Sequence, residues 1–209
     1  MYLFTRRVVT SPAHFRVGVA HAIAMTEYVN QRTDLEVALF QALQGEPLGT
    51  LTFAYRTESF AASLESVDEM LSSDEYLAKV EEGAGYYVGN AVDRLGTFVH
   101  IAGEVSGPPA AASVVTATID VPLVSKAMEW SVELADYTAN LSGVPIAVVT
   151  SNFGQYGTVS WISYGQSVAQ LEQSQEKTNS DPGFLQRLAD SAGLFVPGSG
   201  TGALSRRIA

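Results

Sequence analysis

The segment Ser73–Val88 reads SDEYLAKVEEGAGYYV, and the segment Ser180–Val196 reads SDPGFLQRLADSAGLFV. Both begin with Ser-Asp, pass through an aromatic residue followed by Leu, and close on Ala-Gly and an aromatic residue followed by Val. Internal similarity at a fixed spacing indicates duplicated structural units. The pair therefore suggests that the chain contains one unit twice.

The similarity extends well beyond this pair. The spacing between matched positions stays between 107 residues, at the Ser-Asp pairs, and 110 residues, at the prolines. Agreement at several places in the same order is unlike chance matching and predicts a tandem duplication. The further matches are Gly49-Thr-Leu-Thr-Phe53 with Gly157-Thr-Val-Ser-Trp161, Glu27-Tyr28 with Asp136-Tyr137, and Pro12 with Pro122.

Each copy predicts the element order βαββαβ, because runs rich in β-branched and aromatic residues alternate with longer helical runs. In the first copy the predicted strands are Tyr2–Thr10, Leu35–Gln44, Thr50–Arg56 and Leu95–Ala102, and the helices are 12–32 and 60–86 with a break near Ser73. In the second copy the strands are Ser113–Asp120, Ile146–Asn152, Thr158–Tyr164 and Ala203–Ile208, and the helices are Pro122–Leu141 and Ser167–Leu194 with a break near Asp181.

This order is that of the ferredoxin-like unit, whose antiparallel sheet carries helices on one face only. The other face needs cover, and two such sheets on one chain can cover each other. The fold class is therefore α+β, with two tandem ferredoxin-like βαββαβ units forming a single-chain α+β barrel. The first unit spans 1–102, a Gly- and Pro-rich linker spans 103–112, and the second unit spans 113–209.

Composition excludes several kinds of function. The formal net charge is −10, which disfavours nucleic acid and anionic membrane surfaces as partners. The absence of cysteine excludes disulfides and thiolate chemistry. No signal-peptide core and no apolar run of membrane-spanning length occurs, so we expect a cytoplasmic protein. No His or carboxylate cluster has metal-ligand spacing, and neither a metal nor a cofactor is expected.

The element order, the Gly-Thr-x-x-aromatic strand and the Ser-Asp helix motif together resemble the dimeric α+β barrel superfamily, which includes the antibiotic-biosynthesis monooxygenase-like, EthD-like and NIPSNAP-like proteins. The resemblance covers nearly the whole chain and implies a single-chain version of the family's paired sheets around a small central cavity. It implies a cofactor-independent monooxygenase, a haem-degrading enzyme, an isomerase or a cyclase. The haem-degrading members use a strand Asn, a strand Trp and a helix His, of which only Trp161 has a match here.

The candidate catalytic residues are His100, Arg6 and Arg56. Strand alternation places Phe98, His100 and Ala102 on one face, so His100 is a general-base candidate if that face lines the cavity. Its alternative is a hydrogen-bonded structural histidine. Arginines on strands suit a substrate carboxylate or enolate, an ion pair with a residue such as Glu36 or Glu58, or an exposed strand end.

The candidate ligand-binding residues are aromatic. Phe53, Tyr55 and Trp161 fall on one face of the third strands, and Tyr164 falls on the other. With Phe98, the first three suit either the wall of a pocket for a small apolar or aromatic molecule or an ordinary core. The corresponding function is binding of an aromatic or polyketide-like compound, with monooxygenase- or isomerase-like action on it as the enzymatic form of this hypothesis.

The first predicted helix carries apolar residues on two opposite faces. One face packs on the sheet, and the other is left for a neighbouring helix or subunit. This pattern supports a second hypothesis, a non-catalytic accessory or assembly protein that forms a homo-oligomer through its outer helices. The outer residues concerned are His14, Val17, His21, Met25 and Tyr28.

Overall fold

The computed structural model describes residues 1–209 and contains one closed barrel of eight antiparallel strands, with every helix on the outside. The strands are β1 (Tyr2–Thr10), β2 (Ala38–Gln44), β3 (Thr50–Thr57), β4 (Tyr87–Ala102), β5 (Ala111–Thr118), β6 (Ile146–Phe153), β7 (Thr158–Gly165) and β8 (Thr201–Arg207). The helices are α1 (Phe15–Arg32), α2 (Phe60–Leu71), α3 (Asp74–Glu82), α4 (Val124–Ser142), α5 (Val168–Ser180) and α6 (Pro182–Asp190).

The strand order confirms the predicted fold class. The barrel runs β1-β3-β2-β8-β5-β7-β6-β4, so the first unit contributes the sheet β4-β1-β3-β2 and the second contributes β8-β5-β7-β6. The two sheets have the same strand order, because β8 is the last strand of the second unit as β4 is the last strand of the first. The two sheets join edge to edge through the pairs β2–β8 and β4–β6, which are equivalent in a pseudo-twofold arrangement. Pairing both edges leaves no free strand edge in the barrel.

The first helix of each unit packs on the outer side of its own sheet through small residues at helical spacing. In α1 these are Gly18, Ala22 and Thr26, and in α4 they are Ala127, Ser131 and Ala135. Each α4 residue follows its α1 counterpart by 109 positions. Small residues let a helix approach the sheet closely, and their equal spacing shows which positions of the two units correspond.

The second helical segment of each unit is broken where the sequence predicts. Ser73 caps α3 by accepting a hydrogen bond from the backbone N–H of Tyr76, and Asp181 caps α6 by accepting one from that of Phe184. Both caps satisfy backbone donors that a helix start leaves unpaired. The break therefore comes from the local chemistry of the Ser-Asp pair that opens both copies of the repeat.

Four strand starts differ from the prediction, and pairing with a neighbouring strand explains two of them. β2 begins at Ala38 and not at Leu35, and β8 begins at Thr201 and not at Ala203. β4 begins at Tyr87 and not at Leu95, since its first half pairs with the end of β1 as far as Thr10. β5 begins at Ala111, within the predicted linker, since Ala111 pairs with Gly165 of β7. The sequence before Leu95 is polar and contains glycine, and the sequence at Ala111 is alanine-rich, so neither gives a strand signal. The neighbouring strand fixes the extended backbone in both places. None of the helices has both the length and the hydropathy needed to span a membrane.

Candidate functional site

The inner face of the barrel is lined largely by small side chains. β1 fixes which face this is, because Val8 packs with the α1 residue Ala22 in one core cluster while Leu3 packs inside the barrel with Ala147 and Ile162. Several inner residues are only partly buried although the barrel is closed, so the interior is accessible to solvent. Those partly buried residues are Thr5, Thr52, Ala54, Val114, Thr116, Ser151, Ser160 and Ser205.

Arg56 enters this interior from β3 at the barrel end where β1 begins. Its guanidinium carbon lies 5.5 Å from the ring centre of Phe98 and 5.1 Å from that of Tyr164. No carboxylate forms a salt bridge with Arg56, although each of Arg6, Arg7 and Arg32 has one. Arg56 is therefore a solvent-exposed cation beside two aromatic rings, close enough to the Tyr164 hydroxyl to act on its pKa by hydrogen bonding, with its remaining donors open to an anion.

Tyr164 adds a second donor to the same place. Burial raises the pKa of the Tyr164 phenol, and the nearby Arg56 charge lowers it by a smaller amount. The phenol therefore keeps its proton at neutral pH and can donate a hydrogen bond. Tyr164 also borders a neighbouring cavity of about 90 Å³, which Glu104 and Val105 of the β4–β5 connection line together with Pro145 before β6. Neither Arg56 nor Phe98 lines this cavity.

The opposite end of the interior is electrically balanced. Arg7 points inward there and donates two hydrogen bonds from Nη1 to the carboxylate of Glu46, at 2.9 and 2.8 Å. Glu46 lies in the turn between β2 and β3, so the hairpin supplies the counter-charge for the strand arginine. Arg7 is thus neutralised within the chain, whereas Arg56 has no carboxylate salt bridge.

His100 does not face the interior, contrary to the predicted alternation. Phe98 pairs with Val149 and His100 pairs with Val148, so Val99 is an extra residue, a β-bulge that moves His100 to the other face. His100 Nε2 lies 2.7 Å from Oδ1 of Asp136 on α4. The geometry is that of the structural alternative, a histidine that joins strand and helix.

Arg6 also lies outside the barrel. Its Nε and Nη2 donate to the two carboxylate oxygens of Asp93 at 2.8 and 2.7 Å, a bidentate pair between β1 and β4. That pair raises the pKa of the guanidinium. The next residue on β1, Arg7, points inward, whereas Arg6 is already paired with a carboxylate.

The aromatic residues predicted as pocket walls lie under the helices. Tyr55 packs with Leu35 and Val37, and Phe53 joins the same layer. Trp161 makes edge contacts with Trp130 and Phe195, at ring-centre distances of 5.8 and 5.6 Å. Of the four predicted ligand-binding residues, only Phe98 faces the interior. The other three form ordinary sheet-to-helix core, since they share the face of Leu51 and Val159.

His21 is a structural counterpart of an aromatic residue in the second unit. Its Nε2 donates to the Lys79 carbonyl at 2.8 Å, and the indole Nε1 of Trp130 donates to the Arg187 carbonyl at 2.9 Å. His21 therefore corresponds to Trp130 and not, as sequence alignment through the two prolines suggests, to Ser131. Its Nδ1 lies 2.9 Å from the Tyr87 hydroxyl, so both ring nitrogens are used in packing.

The residues do not fit haem ligation of the kind that the family resemblance implies. No histidine lies on α2, α3, α5 or α6, and no asparagine lies on β1 or β5. His21 and His100 are both hydrogen-bonded within the protein, and Trp161 is enclosed by other aromatic rings. No group of three His, Cys, Asp or Glu residues is arranged to hold a metal ion.

Tyr164 is the site residue that sequence reasoning did not select. Its position on the opposite face from Trp161 was readable from strand alternation. What alternation cannot supply is which face is inside the barrel. The face with more aromatic residues is the natural choice for a pocket, and here it is the face under the helices.

Solved structures provide the comparison, since no family model and no curated protein matches the chain. A candidate monooxygenase from Fusobacterium nucleatum matches with a TM-score of 0.72 at 9% identity, covering 100% of this chain and 92% of its own. An anthrone oxidase-like protein matches with a TM-score of 0.67 at 10% identity, covering 100% and 91%. A haem-degrading enzyme from Listeria monocytogenes matches with a TM-score of 0.53 at 7% identity, covering 99% of each chain.

At these identities the matches show a fold and not an activity. They extend over the whole chain, including both units and the connection between them. They agree with the strand order, the paired seams and the outer helices described above. The chain has the dimeric α+β barrel fold, with both halves of the barrel supplied by one polypeptide.

Proposed function

We propose that this protein binds a small, flat, apolar or aromatic anion at the barrel end that contains Arg56. The observation that carries the proposal is the Arg56 guanidinium, which lies between the Phe98 and Tyr164 rings without a carboxylate partner. Aromatic rings favour a flat apolar body, and the guanidinium with the Tyr164 hydroxyl favours an oxygen that carries negative charge. A carboxylate, an enolate or a phenolate would meet both requirements.

The same donors support chemistry that passes through an enolate or phenolate. A cation and a phenol fixed beside the developing oxygen anion stabilise it without needing to reorganise. The fold shared with a candidate monooxygenase and an anthrone oxidase-like protein supports an aromatic or polyketide-like compound as the ligand. Monooxygenase- or isomerase-like activity is therefore the reaction class we propose, with Arg56 and Tyr164 holding the oxygen and Phe98 holding the ring.

Isothermal titration with 2-naphthoate and its neutral amide, 2-naphthamide, tests the binding proposal. Arg56→Gln should weaken 2-naphthoate binding roughly tenfold or more, since a hydrogen bond to a charged group contributes about 1.5 to 3 kcal/mol. It should change 2-naphthamide binding much less. Lys126→Gln is the matched control, because Lys126 is exposed on α4 and forms no ion pair. Equal loss of both probes, or unchanged 2-naphthoate affinity, would refute the assigned site.

A further inference from the structure

The outward face of α1 differs in character from the same face of α4. The buried positions of the two helices correspond at a spacing of 109, and the exposed positions must follow the same spacing. At the exposed positions α4 is charged, as a solvated helix face normally is. α1 is apolar at the same places. The corresponding pairs are Val17 with Lys126, Ala20 with Glu129, and Ala24 with Glu133, all six of them exposed.

This apolar face forms one wall of a groove between α1 and α3. The groove has a volume of about 330 Å³. Val17, Ala20, Ala24 and Met25 line it from α1, and Lys79 and Glu82 border it from α3. Val17 is 47% exposed, whereas the outer stripe predicted from sequence also contained Tyr28, which is 7% exposed beneath α3. The exposed surface is therefore centred on Ala20 and Ala24.

Two charged residues flank this surface symmetrically. Arg16 precedes Ala20 by four residues, and Glu27 follows Ala24 by three. At 1.5 Å per residue they lie about 9 and about 7.5 Å on either side of the midpoint. They are separated by eleven residues, close to three full turns, so both lie on the same side of the helix. Both are exposed, and neither forms an ion pair within the chain.

We propose that this face binds a second copy of the same chain, with the two α1 helices packed antiparallel about a twofold axis. Small residues at Ala20 and Ala24 let the two helices approach closely. An antiparallel twofold places each residue opposite the one equally far from the midpoint, on the same side of the helix pair. Arg16 of one copy then lies opposite Glu27 of the second copy, and the second Arg16–Glu27 pair forms at the other end.

The charged residues that α3 contributes to the groove are also complementary across the proposed twofold axis. α3 runs antiparallel to α1, since Tyr76 stacks on Tyr28 at 6.3 Å and Gly83 contacts the His21 ring. Lys79 therefore lies toward the Tyr28 end, where its ammonium is 5.2 Å from the Tyr28 ring centre, and Glu82 lies nearer the His21 end. The same twofold brings Lys79 toward Glu82 of the second copy. Neither residue has an ion partner within its own chain.

Sedimentation equilibrium of the full chain tests this proposal. We expect a species of twice the 22.3 kDa chain mass at micromolar concentration. Arg16→Glu places a new carboxylate against Glu27 of the other copy, and Glu27→Arg places two guanidinium groups together. Each should raise the dimer dissociation constant roughly tenfold or more, because like charges meet at two symmetric places. The double variant Arg16→Glu/Glu27→Arg restores opposite charges and should restore the dimer.

Lys126→Glu and Glu172→Arg are matched charge reversals on exposed residues of α4 and α5, and neither should change the dissociation constant. Circular dichroism of every variant confirms that it is folded. A monomer at all concentrations would overturn the proposal, and so would a dimer that the two single reversals leave unchanged. Failure of the double variant to restore association would also overturn it, because that result would show that Arg16 and Glu27 do not face each other across the interface. The outcome is independent of ligand binding at Arg56.

Discussion

Equivalent tyrosines in the two units have different environments, which gives a test at single-residue scale. Tyr28 packs beneath Arg32, 3.7 Å from its guanidinium carbon, and its hydroxyl is buried without a hydrogen-bond partner. Tyr137 packs beneath Arg187 at 3.8 Å, and its hydroxyl donates to Asp181 at 2.6 Å. The contact between cation and ring occurs in both units, but the tyrosine hydroxyl forms a hydrogen bond only in the second unit.

We therefore expect Tyr28→Phe and Tyr137→Phe to have opposite effects. Removing the unpaired Tyr28 hydroxyl should leave the free energy of unfolding unchanged or raise it by about 1 kcal/mol, because burying an unpaired polar group is unfavourable. Removing the Tyr137 hydroxyl should lower the unfolding midpoint in urea, because Asp181 loses a donor. Equal destabilisation by both substitutions would show that Tyr28 has a partner in solution.

Tyr87 predicts a pH dependence. Burial raises the pKa of its phenol to about 12, above the ordinary value near 10. The folded state therefore retains a proton that the unfolded state releases first, and the stability present below pH 10 falls as pH rises from 10 to about 12. In Tyr87→Phe, which copies Phe195 of the second unit, this fall should be smaller. Urea unfolding at intervals from pH 8 to pH 12 measures it, and an unchanged slope would count against the assignment.

Residue-scale errors in reading this sequence have two physical causes. The Val99 bulge adds one residue to β4 and reverses every inward and outward assignment beyond it, which moves His100 away from Phe98. The β1–β3 and β5–β7 registers make Arg6 equivalent to Val115 and Arg7 to Thr116, one position from the alignment through the two prolines. Both depend on pairing between distant strands, which local patterns do not contain.

At the scale of elements, the repeated Ser-Asp pair caps a helix in both copies, through the Ser in the first copy and through the Asp in the second. Ser73 caps α3, and the following Asp74 lies in the first turn. In the second copy Asp181 caps α6, while the Ser180 hydroxyl donates back to carbonyl groups of α5. Pro182 explains the shift, because it occupies the first turn of α6 and places the preceding residue at the cap.

Alanine substitutions should reveal this exchange of roles. Ser73→Ala should lower the free energy of unfolding by about 0.5 to 1 kcal/mol, while Asp74→Ala should have a smaller effect. In the second unit the order reverses, and Asp181→Ala should be more damaging than Ser180→Ala because Asp181 accepts from both Phe184 and Tyr137. Thermal unfolding of the four variants gives the comparison, and the same order in both units would contradict it.

The order of elements and the helix breaks were the predictable part of this molecule, because the sequence pattern occurs once in each unit. Helix breaks, caps and hairpin turns recur at matching positions, so a weak signal in one copy is supported by the other. The site was less predictable. Arg56 and Phe98 were candidates from the sequence and lie on the interior face, but the inner and outer faces of a strand carry similar side chains here, and only barrel closure distinguishes them.

At the scale of the whole molecule, the barrel is closed by two seams that join equivalent strands but differ in length. β4 pairs with β6 from Leu95 to Ala102, whereas β2 pairs with β8 only from Phe40 to Gln44. Each seam joins the last strand of one unit to the second strand of the other. The two units share one strand order. The second strand of a unit is therefore suited to pair with the last strand of another copy of the same unit.

A half-length chain tests whether closure of the barrel depends on this equivalence. Residues 1–102 alone would leave the edges of β2 and β4 unpaired and the inner face uncovered, which exposed sheets do not tolerate in water. We expect this fragment to fold as a homodimer in which β2 of each copy pairs with β4 of the other, regenerating both seams. Sedimentation and circular dichroism measure the outcome. A folded monomer would show that the sheet of the first unit is stable without cover. The second unit would then be needed only to complete the site at Arg56.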